Sequence, residues 1–227
     1  MQQMICSDAH LIRSSEQMAI TRVQPLSAHL LKPCATPADP AEKQVYTVWM
    51  KSLVFNGHGC TIYGQDGRVA YRVDNYACSR SREVYVMDSD GKTLLKLLKK
   101  NFGVFKTWKG YSYRINGPEG LEQENSKPWF SVQKAHQILK KGGQCSRKAV
   151  ATVCISGNVC KIDGVLCKSE YRISDANGEV VAEMKRKQTA SGVVLGEDVL
   201  SLTVSPAADR LLVVGLVVVC GLLSRCI

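Results

Sequence analysis

A chain of 227 residues with a formal charge of +10 can bury a core without disulfides or metal, and its length suits one closed β-domain better than two domains with separate cores. Its ten cysteines follow no framework spacing, no Asn-x-Ser/Thr acceptor occurs and no charged-then-apolar leader opens the chain. Together these exclude a secreted disulfide scaffold and point to thiols in a reducing, intracellular compartment.

Residues 1–44 hold four of the seven prolines, Pro25, Pro33, Pro37 and Pro40, and show no sustained apolar period, which predicts a disordered leader before a domain over 45–227. Four basic and four acidic side chains balance over residues 1–45, so the positive excess falls on 46–227. That excess directs the domain toward anionic surfaces, membrane or nucleic acid, with plain solubility as the bland reading.

From Val45 the chain becomes short Val-, Ile-, Tyr- and Phe-rich runs broken by Asn56-Gly57, Asp66-Gly67, Asp90-Gly91, Asn116-Gly117 and Asn177-Gly178, the grammar of hairpins. Between two such turns Val69, Tyr71 and Val73 alternate with Arg68, Ala70 and Arg72, so one face is buried and one wet. The spacing of turns predicts about ten to twelve strands, a number that curls into a barrel or a sandwich. The segment DSDGKTLLKLLKK from Asp88 resembles DANGEVVAEMKRK from Asp175, with a fainter copy in GQDGRVAYRV from Gly64, which predicts two related halves. Asp88 and Asp90 lack the remaining ligands of a calcium loop, and a type I′ turn is the expectation there.

Each repeat ends on basic residues. Lys99, Lys100, Lys106 and Lys109 lie among Phe102, Phe105 and Trp108, and Lys185, Arg186 and Lys187 follow the second copy. These seven are the candidates for contact with an anionic ligand or membrane. Rings interleaved with lysines suit a lipid interface or the stacking of bases; the competing reading is the wet and dry faces of one hairpin. No nucleophile elbow, phosphate loop or zinc-binding helix motif occurs, so neither catalysis nor a metal nor a cofactor is expected. His58 near Cys60 has nothing to orient it as a base. Cys145, Cys154, Cys160 and Cys167 lack zinc spacing and read as buried strand thiols.

After Ser205-Pro206-Ala207-Ala208-Asp209-Arg210 come thirteen apolar or glycine residues, Leu211 to Leu223. Ser205 as N-cap, Pro206 at the first helical position, and Asp209 and Arg225 at the two dipole ends predict a helix over about 206–224. Its side chains Leu211, Leu212, Val213, Val214, Leu216, Val217, Val218, Val219, Leu222 and Leu223 leave no polar stripe. Such a helix must be enclosed by protein on every side, as the inside of a closed barrel allows. The apolar run reaches only about 20 Å against a hydrocarbon thickness of roughly 30 Å; a tail anchor that thins the bilayer is the alternative. Gly215 and Gly221 would let strand side chains approach the helix closely.

The segments YTVWMKSLVFNGHGCTIYGQDGRVAYRVDNY, FSVQKA, YRISDANGEVVAEMKRK and EDVLSLTVSPAADRLLVVGLVVVCGLL resemble the plant LURP-one-related proteins over residues 45 to 225. The resemblance implies a tubby-like fold: a mainly β, closed antiparallel β-barrel of about twelve strands around a central hydrophobic C-terminal helix, shared with tubby proteins and phospholipid scramblases. It further implies a plant protein without enzyme activity or cofactor, in a family with one member linked to defence against an oomycete. The leading functional expectation is a monomeric tethering module that binds acidic membrane lipids, phosphoinositides included, in defence or stress signalling. Its expected location is the cytoplasm, the inner face of the plasma membrane and the nucleus. The alternatives are a membrane-anchored, scramblase-like lipid handler and a nucleic-acid-binding regulator.

Overall fold

The computed structural model describes residues 42–51, 58–75, 82–102, 105–116, 121–135 and 149–224, all within one compact unit that comprises residues 37–227. Of the leader, residues 1–41 lie outside the described residues, as do the Asn56-Gly57 turn and Cys145, while Gln44 already belongs to the first strand.

The first half is a meander of β1 (Gln44–Trp49), β2 (His58–Tyr63), β3 (Val69–Asn75), β4 (Glu83–Met87), β5 (Thr93–Phe102) and β6 (Phe105–Asn116). The second is β8 (Phe130–Lys134), β9 (Ala149–Ile155), β10 (Asn158–Val165), β11 (Glu170–Ser174), β12 (Val180–Arg186) and β13 (Val199–Val204). β6 pairs with β8 and β13 with β1, all antiparallel, so twelve strands close on themselves and no edge is left in the ring. β7 (Leu121–Glu124) stands outside it, paired only with the far end of β6.

The internal repeat is a repeat of hairpins. The Asp88 turn joins the fourth and fifth strands of one half and the Asp175 turn the fourth and fifth of the other. In each, the aspartate carboxylate accepts two backbone N–H groups, from Asp90 and Lys92 at 3.0 and 2.9 Å and from Asn177 and Glu179 at 2.9 Å. The expected type I′ geometry is corrected here. Gly91 and Gly178 carry φ of +86° and +87°, while Asp90 and Asn177 do not have positive φ. Type I′ requires two left-handed residues; these are three-residue loops closed by one left-handed glycine and a bulge. The two-residue loop with both positions left-handed is Ser156-Gly157, φ 48° and 92°, between β9 and β10.

Inside the ring runs α1 (Arg210–Ser224), whose residues Val213 through Gly221 are all buried. A helix buried around its whole circumference needs no polar stripe, which is why the run of valines and leucines tolerates none; each such side chain taken from water contributes about 1.5–3 kcal/mol. Leu211, Leu212, Leu222 and Leu223 are half-buried and pack on the same core. At Gly215 the helix and wall meet: a Cβ there would lie 2.5 Å from Leu95 and 3.0 Å from Phe130. Phe130 in turn lies across Gly110, its cross-strand partner, so one ring fills the space of two absent side chains.

The helix begins four residues later than the cap signals suggest. Asp209, not Ser205, is the cap: its carboxylate accepts the Leu212 N–H at 3.0 Å. Ser205 to Ala208 form a turn closed by the Ala208 N–H to the Ser205 carbonyl. Pro206 is exposed in that turn, which redirects the chain from β13 into the barrel. A carboxylate at the positive helix end satisfies the first-turn N–H groups as a serine would and adds charge.

The helix gives the barrel two distinct ends. The head, where α1 starts, carries the Gly64–Arg68, Asp88–Lys92, Ser156-Gly157 and Asp175–Glu179 hairpins. The foot, where α1 finishes, carries the 3-10 turn Leu166–Lys168, whose Leu166 is buried against the helix, and the connection from β12 to β13.

Candidate anionic-surface site

Lys99, Lys100, Lys106 and Lys109 occupy the foot half of the β5–β6 pair. Strand alternation separates them: Lys99 faces Trp108 across the ladder, while Lys100 stands opposite Thr107 and shares the other face with Lys109. The Lys99 ammonium lies 5.8 Å from the centre of the Trp108 ring, within cation–π range. Trp108 itself is only 4% exposed. It is therefore a core residue, which corrects the expectation that it inserts into lipid or stacks on bases. Lys106 pairs with Asn101; its side chain and those of Phe102 and Phe105 lie outside the described ones.

The second basic group sits at the foot end of β12, six steps around the ring from β5 one way and five from β6 the other, so the two groups occupy opposite walls. Most of its charge is matched locally. Lys185 lies 2.7 Å and Arg172 2.6 Å from Glu183, and Arg186 lies 2.9 Å from Glu197. Lys187 donates to the Thr47 hydroxyl and lines an open hollow of about 400 Å³ with Val45, Tyr63, Gly64, Gln65 and Gly67. No carboxylate of the described residues reaches it.

Glu183 is the carboxylate with the most evident electrostatic support. Hydrogen bonds from Lys185 and then Arg172 hold it below the ordinary carboxylate range, against a smaller upward pull from burial. A lowered folded-state value means its contribution is complete above the ordinary value of 4.5 and is lost as pH falls through the folded value. Glu183→Gln is expected to flatten the wild-type loss of stability at acid pH, read by urea midpoints between pH 7 and 3; parallel curves would show that the triad contributes nothing.

What the strand directions add is a division of charge along the barrel axis. Among the described residues the foot half carries Lys51, Arg82, Lys99, Lys100, Lys109, Lys134, Lys168, Lys185, Arg186 and Lys187 against Glu83, Asp163, Glu170, Glu197 and Asp198. The head half carries Glu42, Asp66, Asp88, Asp90, Glu124, Asp175, Glu179 and Asp209 against Lys43, Arg68, Lys92, Lys96, Lys127, Lys161 and Arg210. Lys51, Lys134 and Lys168 lay outside the sequence-based candidates because each stands alone in its segment. Only alternation of strand direction brings them to one end. Lys100, Lys134 and Lys168 are exposed with no described carboxylate in reach.

Of the described thiols, three are buried and two exposed. Cys60 is fully buried, and burial pushes the Cys220 thiol up to about 12, with a hydrogen bond from Tyr171 opposing. Cys160 is buried as expected, but Cys154 and Cys167 are exposed, which corrects their reading as buried strand thiols. Cys154 falls on the outward alternation of β9, and Cys167 on the 3-10 turn. No group of three or more His, Cys, Asp or Glu among the described residues could hold a metal ion. With α1 filling the barrel there is also no interior left for a lipocalin-type ligand.

Comparison with known proteins agrees with this architecture. A family model described as LURP-one-related matches residues 44–221. Protein LURP-one-related 11 of Arabidopsis thaliana is 37% identical over 191 residues, spanning 84% of this chain and 82% of that protein. Protein LURP-one-related 3 of the same plant is 35% identical over 198 residues, 86% of each. A crystal structure of a protein from Arabidopsis thaliana superposes with a TM-score of 0.50 at 14% identity, over 82% of this chain and 97% of that one, a likeness of fold alone. The chain belongs to the LURP-one-related family.

Proposed function

We propose that this protein is a non-enzymatic, monomeric tethering module that binds acidic membrane phospholipids, phosphoinositides included, and serves plant defence or stress signalling. Its sites of action on this reading are the cytoplasm, the inner face of the plasma membrane and the nucleus, and its fold relates it to tubby and scramblase proteins. The observation that carries the reading is the unequal charge of the two ends. A molecule with a basic foot and an acidic head is oriented by a flat negative surface, which attracts one end and repels the other. The scramblase-like alternative requires α1 in a bilayer. Its enclosure weighs against that, and among the described residues no helix is long and apolar enough to cross a membrane.

Flotation of the full chain with phosphatidylserine vesicles, with and without phosphoinositides, tests the reading. Binding is expected to weaken as salt is raised. At roughly 1 kcal/mol per lysine near such a surface, Lys100→Glu, Lys134→Glu and Lys168→Glu together should weaken binding about 100-fold or more. Adding changes at Lys99, Lys106 and Lys109, or at Lys185, Arg186 and Lys187, then reports which wall leans on the lipid. Absence of wild-type binding would sink the proposal, and tight, steeply salt-dependent binding to duplex DNA instead would favour the nucleic-acid alternative.

A further inference from the structure

The connection from β12 to β13 is a built hairpin. Thr189 N–H donates to the Val193 carbonyl at 2.9 Å, Gly192 N–H returns to the Thr189 carbonyl at 2.9 Å, and Gly192 takes φ +82°. The Thr189 hydroxyl accepts the Val193 N–H at 3.1 Å, as the Asp88 and Asp175 carboxylates do in their loops. Below the tip Gln188 bridges to Val194, and Leu195 N–H reaches the Lys187 carbonyl at 2.9 Å. The backbone is therefore held by its own bonds while the side chains stand out: Val193 is 60% and Val194 47% exposed. Neighbours on a strand point to opposite faces, so exposure of both means that both faces of the tip are in water. From Gln188 to Gly196 the segment has no charged residue; Lys185, Arg186 and Lys187 stand immediately before it and Glu197 and Asp198 immediately after.

We infer that this hairpin tip, at the basic foot, is the element that penetrates an anionic bilayer surface, with Val193 and Val194 below the headgroups and the lysines at their level. The inference rests on the lipid-binding reading and adds to it a contact residue pair and an orientation. Among the described residues no other two neighbouring valines are both exposed; Val165, 45% exposed at the foot, stands alone. The head presents carboxylates to a negative surface, and its exposed Val180, at 51%, lies beside Glu179. An uncharged, preformed tip loses little conformational freedom on insertion, and the net positive charge of the foot around it supplies attraction that the valines alone lack.

The test is co-sedimentation of the full chain with phosphatidylserine/phosphatidylcholine vesicles, comparing wild type, the pair Val193→Asp with Val194→Asp, and Val180→Asp as an equally exposed control at the other end. The tip pair is expected to weaken binding at least tenfold, with the control unchanged. Wild-type binding that survives the tip pair intact, or is lost in the Val180 control instead, overturns the inference while leaving lipid binding in place. Failure of the wild type to sediment overturns both. If circular dichroism shows the aspartate pair unfolded, Val193→Ser with Val194→Ser replaces it, judged by the same criteria.

Discussion

Val218→Asp is expected to leave no folded protein. The side chain is 0% exposed, near the middle of a helix whose nine residues from Val213 to Gly221 are all buried. No basic group faces it from the described core, which is built from residues such as Val48, Ile62, Leu95, Leu97, Phe130 and Leu202. A carboxylate there must either stay charged without a partner or take up a proton and remain an unsatisfied polar group; an unpaired buried ion costs several kcal/mol even after relaxation. That is comparable with the total stability of an ordinary domain, about 5–15 kcal/mol. Leu216→Ala, 1% exposed, removes apolar atoms from the same helix and should instead give a folded protein weakened by about 2–5 kcal/mol. Soluble expression and denaturant midpoints separate the two. A barrel that folds normally with Val218→Asp would mean that the helix is not its core.

Gly164→Ala should cost about 3 kcal/mol or more, the largest loss from adding a single methyl. Gly164 takes φ +142° on β10 opposite Tyr171. A Cβ built there would lie 2.4 Å from the Glu170 carbonyl oxygen and 2.6 Å from the Tyr171 Cα. Both are backbone atoms, so no rotamer change relieves the clash and the β10–β11 pairing must open beside the 3-10 turn. Gly178→Ala is the informative comparison: φ is +87° but nothing lies within 4 Å of the added carbon. Its cost is the left-handed conformation alone, about 1–2 kcal/mol. Urea midpoints that place the two together would show that the close approach at Gly164 yields easily.

The helix was legible because its composition leaves one physical solution. Leu211 to Leu223 is too apolar for a surface and too short to span a bilayer comfortably, so a closed wall had to surround it. Its start was not legible, since Ser205-Pro206 satisfies the preferences for a cap and first turn whether or not the chain spends those residues on a reversal. Only the position of the barrel rim selects Asp209. Asp90-Gly91 was similarly ambiguous, because the same dipeptide serves a two-residue loop and a three-residue loop, and the deciding hydrogen bonds come from Asp88 two positions upstream.

For the site, sequence showed which segments are basic but not which charges are free to act. Glu183 and Glu197 meet Lys185 and Arg186 through strand pairing and a hairpin return, and Trp108 turns inward by parity within β6. The tip at Thr189–Val193 carried a signal that was passed over. Ser191-Gly192 is a turn pair, and Thr189 stands where Asp88 and Asp175 stand in the repeats.

The ring closes between its first and last strands, β1 and β13, and α1 follows every strand in the chain. During synthesis the nascent polypeptide therefore emerges as a wall without contents. All twelve strands are synthesised before the residues that fill them, and the seam between β1 and β13 cannot close until the last strand has followed. Until the helix follows, the apolar inner faces of β1 to β6 have only one another, or a chaperone, to cover them. Pairing residue 44 with residue 204 makes the decisive contacts among the longest in the chain, so assembly should be slow and all-or-none rather than progressive.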